Sequence, residues 1–361
     1  MNINELVMYG IVLMLIVGGI DYALGGPLKL GSQFEAGLMA MGALALSMVG
    51  IITLAPILAI ILEPVIVPIY TMLNADPAMF ATTILANDMG GFPLAMEMSL
   101  TPEAGLFAGT ILGAMMGPTI VFTIPVALGI IDKSDQPYLA KGILSGMITI
   151  PLGTFVGGVV AGFDLTMILT NLIPIVLVSV LIMLGLWFIP NQMIKGFTIF
   201  GKGVVVVAIF GLIVGALELL VGITLIPGTT PVTEGLEIVG EIALTLSGAF
   251  VLVELITRVA KKPLLSLGKI LGINEIAAAG LVATLANSIP MFQMLKKMDE
   301  RGKIINIAFA VSAAFVLGDH LGFTAGVARE MIVPMIAGKL VGGITAVWVA
   351  ILITRKIDRK V

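Results

Sequence analysis

The chain has 361 residues, 59% of them hydrophobic and 11% charged, with a mean hydropathy of +1.16. A soluble domain carries about 25% charged residues, so a soluble fold is excluded. The formal net charge of -3 and the scatter of Lys and Arg between apolar stretches offer no basic face for nucleic acid. No cysteine is present, which excludes disulfides and thiolate metal sites, and a lone histidine, His320, argues against a histidine metal site.

Apolar stretches long enough to cross a hydrocarbon core of roughly 30 Å recur along the chain. They fall at 5–24, 36–61, 105–131, 140–163, 166–189, 203–226, 237–257, 305–327 and 331–354. The first carries Glu5 where a secretory signal has basic residues, and no small-residue cleavage site follows it, so it reads as a retained helix. Two further segments, 63–98 and 263–298, decide the topology. Basic residues collect on the cytoplasmic side, and here they fall at Lys29, Lys133, Lys141, Lys195, Lys202, Arg258 to Lys269, Lys296 to Lys303, and Arg355 to Lys360. If both odd segments dip in and return on one side, nearly all of these share a face. The expectation is nine crossings and two re-entrant hairpins, with the N-terminus outside and the C-terminus inside. A merely kinked spanning helix is the alternative. "ANDMGG" and "ANSIP" supply the glycines and the proline that interrupt a helix.

The two odd segments also resemble each other. At an offset of 200 residues, Asn74, Ala78, Leu85, Ala86, Asn87, Phe92 and Met98 meet Asn274, Ala278, Leu285, Ala286, Asn287, Phe292 and Met298. "ALALS" (43–47) matches "ALTLS" (243–247), and "GPTIVFT" (117–123) matches "GDHLGFT" (318–324) one residue out of step. Shared order over about 80 residues marks an internal repeat. The hairpin flanks change sign between copies, Glu63 and Glu97 against Lys262 and Lys297, which fits inverted copies. The expected fold class is an all-α polytopic membrane protein of about nine to eleven transmembrane segments, with inverted repeats and two re-entrant or broken hairpins. Its divisions are a first helix at 1–30, repeat 1 at 31–165 with hairpin 63–98, connecting helices at 166–230, repeat 2 at 231–354 with hairpin 263–298, and a cytoplasmic tail at 355–361. Inverted repeats with broken helices bind substrate at the repeat interface in many transporters.

Ionisable residues inside a bilayer cost about 2.5–3.5 kcal/mol each on insertion scales and normally face a cavity or a partner. Asp88 and Asp319 are the foremost examples. Each also admits a structural role, capping a half-helix or, for Asp319, pairing with His320. Asn87 and Asn287 occupy equivalent repeat positions and offer donors and acceptors to a ligand hydroxyl, or to the broken backbone itself. Phe92 and Phe323, near the aspartates in sequence, present faces for an ammonium or serve as packing. His320, Ser288 and Glu35 are candidates for coupling or gating. No zinc helix, nucleophile elbow or P-loop occurs, Val316 spoils the G-x-G-D pattern of an intramembrane aspartyl protease, and no cofactor is called for.

"FEAGLMAMGALALSMVGIITLAP", "ANDMGGF", "ILGAMMGPTIVFTIPVALGII", "IAAAGLVATLANSIPMF" and "AFVLGDHLGFTAG" together closely resemble the EutH family of ethanolamine permeases, from Glu5 to about Ala350. The resemblance implies a multi-pass protein of the bacterial cytoplasmic membrane that passes ethanolamine, with no nucleic-acid partner. A primary amine with a reference pKa near 10.4 is mostly a cation at neutral pH, so Asp88, Asn87, Asn287 and Asp319 are of the right types to hold it. Two other readings stand beside this one: a proton- or sodium-coupled symporter of a small amine, and a membrane sensor or scaffold that does not transport.

Overall fold

The computed structural model describes residues 2–354, apart from the side chains of residues 260–262, 264, 265 and 267. The tail expected at 355–361 lies outside the described residues. Every described element is helical. Helix α1 spans Ile3–Ala23 and α2 spans Gly31–Met72. A hairpin of α3 (Ala78–Ile84) and α4 (Gly91–Met98) follows, then the interrupted helix α5, Pro102–Ile130. Helices α6 (Gln136–Met147) and α7 (Ile150–Ala161) form one span; α8 (Leu165–Phe188) and α9 (Pro190–Val221) lead to α10, Val232–Leu271. The second hairpin is α11 (Glu275–Ala286) and α12 (Ser288–Met294), followed by α13 (Glu300–Ala313), α14 (Asp319–Val327) and α15 (Ile332–Thr354).

Among the described residues, eight helical stretches are long and apolar enough to cross a membrane. The protein is therefore an all-α, multi-pass membrane protein. The crossing expected at 305–327 is not one helix: α13 ends at Ala313 and α14 begins at Asp319. Between them Phe315 takes a left-handed φ of 64°. The Phe315 and Leu317 N–H groups donate to the carbonyls of Thr284 and Leu285 at 3.1 and 2.9 Å. The chain leaves the helix to pair with the second hairpin, which satisfies backbone groups that lipid would leave bare.

The hairpins begin later than their sequence boundaries. Helix α2 continues through Pro56, Pro64 and Pro68 to Met72, and α10 continues through Pro263. Prolines bend membrane helices without ending them where neighbouring groups take up the freed carbonyls. The hairpin halves have 7 and 8 residues, and 12 and 7. At 1.5 Å per residue none exceeds about 18 Å, too short to cross alone. In each hairpin the two halves pack on one another. The second break falls at Asn287, not at Pro290. Pro290 lies in the first turn of α12, where a missing N–H has no helical partner to lose.

Helix α2 packs along α10 and α9, while α15 lies against α7 and α13. Small residues permit the closest crossings: a Cβ added at Gly153 would stand 2.6 Å from the Gly338 carbonyl oxygen, and one at Gly338 2.8 Å from that of Gly153. With lipid as apolar as leucine, such close backbone approach is what holds membrane helices together. At the lateral edge, Asp21 accepts from the N–H groups of Leu28, Leu30 and Gly31, each at 2.7 Å, and so closes the α1–α2 loop. Asp164 caps α8, and the N–H of Met167 with that of Thr166 holds its carboxyl below the usual carboxylate range.

Candidate functional site

Three interrupted segments meet in the interior. The first hairpin tip leaves helical geometry at Leu85 and Ala86, makes a single 3-10 turn over Asn87–Met89, and re-enters a helix through Gly90 at φ 88°. Helix α5 is irregular through its middle, with π turns over Phe107–Ile111 and Thr119–Thr123 and a 3-10 turn over Leu112–Ala114. Such turns interrupt helices at functional sites far more often than elsewhere. The α13–α14 break is the third segment. At both hairpin tips a glycine admits close backbone approach. A Cβ on Gly117 would stand 1.9 Å from the Leu85 carbonyl oxygen, and one on Gly318 2.1 Å from that of Ala286. These glycines are the ones that the offset sequence comparison pairs, one residue out of step.

Between these segments lies a cavity with about 30 Å³ of room, lined by Ala86, Asp88, Met89, Pro118, Phe122, Phe315, Asp319 and His320. Space of that size holds roughly two water molecules. Asp88 is the middle residue of the 3-10 turn at the first tip, and Asp319 opens α14. The two carboxylates line the same cavity. Phe122 and Phe315 meet edge to face with centroids 5.3 Å apart, and the His320 ring lies 5.3 Å from that of Phe315. The chamber thus combines two carboxylates, an imidazole and an aromatic wall.

Behind it stands a group absent from the sequence expectations. Lys339, in the middle of α15, is 1% exposed. Its Nζ donates to the Ala114 carbonyl and lies 2.9 Å from His320 Nδ1. Lys339 therefore ties the interruption of α5 to the start of α14. The expectation that Lys and Arg occupy only inter-helix loops is corrected by this residue.

The sequence pattern of the family described as "Ethanolamine utilisation protein, EutH" matches residues 3–353. The chain belongs to the EutH family. It is 69% identical over 360 residues to the "Probable ethanolamine permease EutH" of Listeria monocytogenes, covering 100% of this chain and 96% of that one. It is 50% identical to the Escherichia coli protein of the same name, covering 99% and 97% of the two chains, and 54% identical to the "Uncharacterized protein YxeR" of Bacillus subtilis over 96% and 94%. No solved structure matches. Family and fold together make this EutH chain a multi-pass protein of a bacterial cytoplasmic membrane, in a family of permeases and not of enzymes.

Of the residues singled out from sequence, the EutH chain brings Asp88, Asp319 and His320 to one cavity. His320 meets Lys339 there, and no hydrogen bond or ion pair joins it to Asp319 among the described residues. Asn87 is fully buried beside Gly113 and Thr82, and both polar atoms of its amide lack a hydrogen-bond partner. Ser288 is buried with an unpartnered hydroxyl. Asn287 accepts from the Ile289 N–H at 2.8 Å and caps α12, outside the cavity lining. Phe92 and Phe323 meet edge to face at 5.6 Å and pack beside the cavity rather than lining it. Glu35 is exposed near Tyr22 at the α1–α2 edge, remote in sequence and element from the cavity. Phe122 and Phe315 supply the aromatic surface instead. The signal for Lys339 was a single cation in "MIAGKLVGG", an otherwise unbroken apolar run.

Proposed function

We propose that the protein is an ethanolamine permease that carries the protonated amine, with Asp88 and Asp319 as its counter-charges and Phe122 and Phe315 as the aromatic face toward the ammonium. The observation that carries the reading is the meeting of two carboxylates and two phenylalanines around one cavity at the junction of a hairpin tip and two interrupted helices. Asp88 and Asp319 outnumber the cation Lys339, which leaves a carboxylate free to pair with an incoming cation. The names of the relatives supply the substrate. The amide of Asn87, next to Asp88 in the chain, is buried and unpartnered but lies outside the cavity lining, so it would meet the hydroxyl only if the tip moved.

The matched placement of Gly117 and Gly318 against the two hairpin tips supports reading 31–165 and 231–354 as inverted repeats. Rocking of one repeat against the other would then expose the chamber to each face in turn. The test is counterflow of labelled ethanolamine into proteoliposomes of the purified chain at pH 6. Saturable counterflow well above that of protein-free vesicles supports the reading; equality with protein-free vesicles overturns it.

A further inference from the structure

A site for a cation has no evident need of a second cation behind it, yet Lys339 is buried there. Its hydrogen bonds go to the Ala114 carbonyl and His320 Nδ1, and to no carboxylate among the described residues. His320 is 2% exposed and lines the cavity with Asp88 and Asp319. The imidazole therefore stands between the amine and the chamber.

Both charge states of Lys339 fit the same two contacts. As an ammonium, Nζ donates to Ala114 and to Nδ1, and His320 carries its proton on Nε2. As a neutral amine, Nζ donates to Ala114 and accepts from Nδ1–H. One proton passing from Nζ to Nδ1, while Nε2 gives up its own, interconverts the two states without moving a heavy atom.

We propose that Lys339 is the resident cation of the unloaded carrier, and that ethanolammonium displaces its proton through His320, making transport an exchange of ethanolammonium for a proton. The inference rests on the ethanolamine reading above. In the loading step ethanolammonium pairs with Asp88, Lys339 passes from ammonium to amine, its proton moves to Nδ1, and the Nε2 proton leaves through the chamber to water. Release on the far side reverses each transfer. The chamber holds one excess negative charge before loading and one after, so the carrier never buries an additional charge.

The groups around Lys339 leave this exchange to His320 and the two aspartates. Helix α7 and residues 107–123 of α5 contain no titratable side chain. Helix α13 carries Glu300, Arg301 and Lys303 only at its start, where Lys303 pairs with Asp135 at 2.7 Å. Tyr138 and Lys141 of α6 lie toward that same end, with Tyr138 under Lys303. Helix α1 offers Glu5 in its N-terminal capping box, Tyr9, which is exposed, and Asp21, whose oxygens are taken by the α1–α2 loop. Arg329 and Glu330 precede Lys339 by more than two helical turns.

Exchange of one cation for another is blind to membrane potential and follows the pH gradient. The experiment uses proteoliposomes of the full chain, with potassium and valinomycin setting a potential at which a cation uniporter would concentrate its substrate about 50-fold, roughly 100 mV inside negative. With equal pH on both sides, less than a twofold response is expected; an acidic interior should drive uptake faster than in protein-free vesicles. Ethanolammonium binding to the purified protein should release close to one proton, read by calorimetry in buffers of differing ionisation heat. Lys339→Met should release none. Potential-driven accumulation by the unmutated chain, or binding without proton release, overturns the exchange while leaving the permease reading intact. A Lys339→Met protein that releases as many protons as the parent overturns the role of Lys339, and His320→Gln, which keeps the hydrogen bond but cannot relay, tests the same path without removing the lysine. Absence of any counterflow overturns both readings.

Discussion

Asp88→Asn keeps the shape of the side chain in the middle of the first hairpin tip and removes its charge. A carboxylate and an ammonium about 4 Å apart attract by about 4 kcal/mol at an effective dielectric constant near 20, before either is desolvated. Hydrogen bonds to charged groups retain about 1.5–3 kcal/mol of this after desolvation. Asp319 shares the cavity and still faces the cation in the variant, so the lower part of that range applies, about 1.5–2 kcal/mol. At about 1.4 kcal/mol per factor of ten, half-saturation should rise about 10–30-fold. Initial rates of counterflow at pH 6 measure this, because only about one amine in 10⁴ is then neutral on the reference pKa of a primary amine. An Asp88→Asn protein that melts like the parent and keeps its half-saturation would refute the assignment of Asp88 as counter-charge.

Gly318→Ala places a Cβ against the Ala286 carbonyl; overpacking of this kind costs about 1–3 kcal/mol, which should appear as a lower melting temperature of the detergent-solubilised chain. Phe122→Leu should raise half-saturation for ethanolamine a few-fold through loss of a cation–π face worth about 1 kcal/mol, whereas Phe323→Leu should lower the melting temperature and leave half-saturation in place. The chain has no cysteine, so single cysteines report topology directly: Ser99→Cys should react with a membrane-impermeant maleimide from outside and Lys296→Cys from inside. Reaction of both from one face would contradict the inverted hairpins.

The helical, multi-pass character was plain in the sequence because hydropathy sums over many residues, and no local detail can reverse it. The two hairpin tips were also readable, since the shared "LAN" at 85–87 and 285–287 marks where each helix ends. Their starting points were not, because proline is a weaker signal inside a membrane than in water; α2 passes three of them. The break within 305–327 is made by tertiary backbone pairing from Phe315 and Leu317 to the second tip, and the glycine before Asp319 is the local sign of unwinding that the sequence carries there. Tertiary packing also places the aromatic residues. Phe92 and Phe323 are close in sequence to Asp88 and Asp319, yet the two rings turn to each other rather than to the cavity. Phe122 and Phe315 reach the chamber from segments whose π turns and left-handed φ no periodicity reveals. Lys339 was readable in principle; a tally of basic residues kept for orientation passed over the one cation that α15 buries.

The most direct test of the cavity as the substrate site uses Met89, a half-buried lining residue. In proteoliposomes of the Met89→Cys chain, reaction with a small cationic thiol reagent should slow as ethanolamine is added, with half-protection at the concentration that half-saturates counterflow, and ethylene glycol should give no protection. Modification at an unchanged rate under saturating ethanolamine, in a protein that still transports it, would contradict the account.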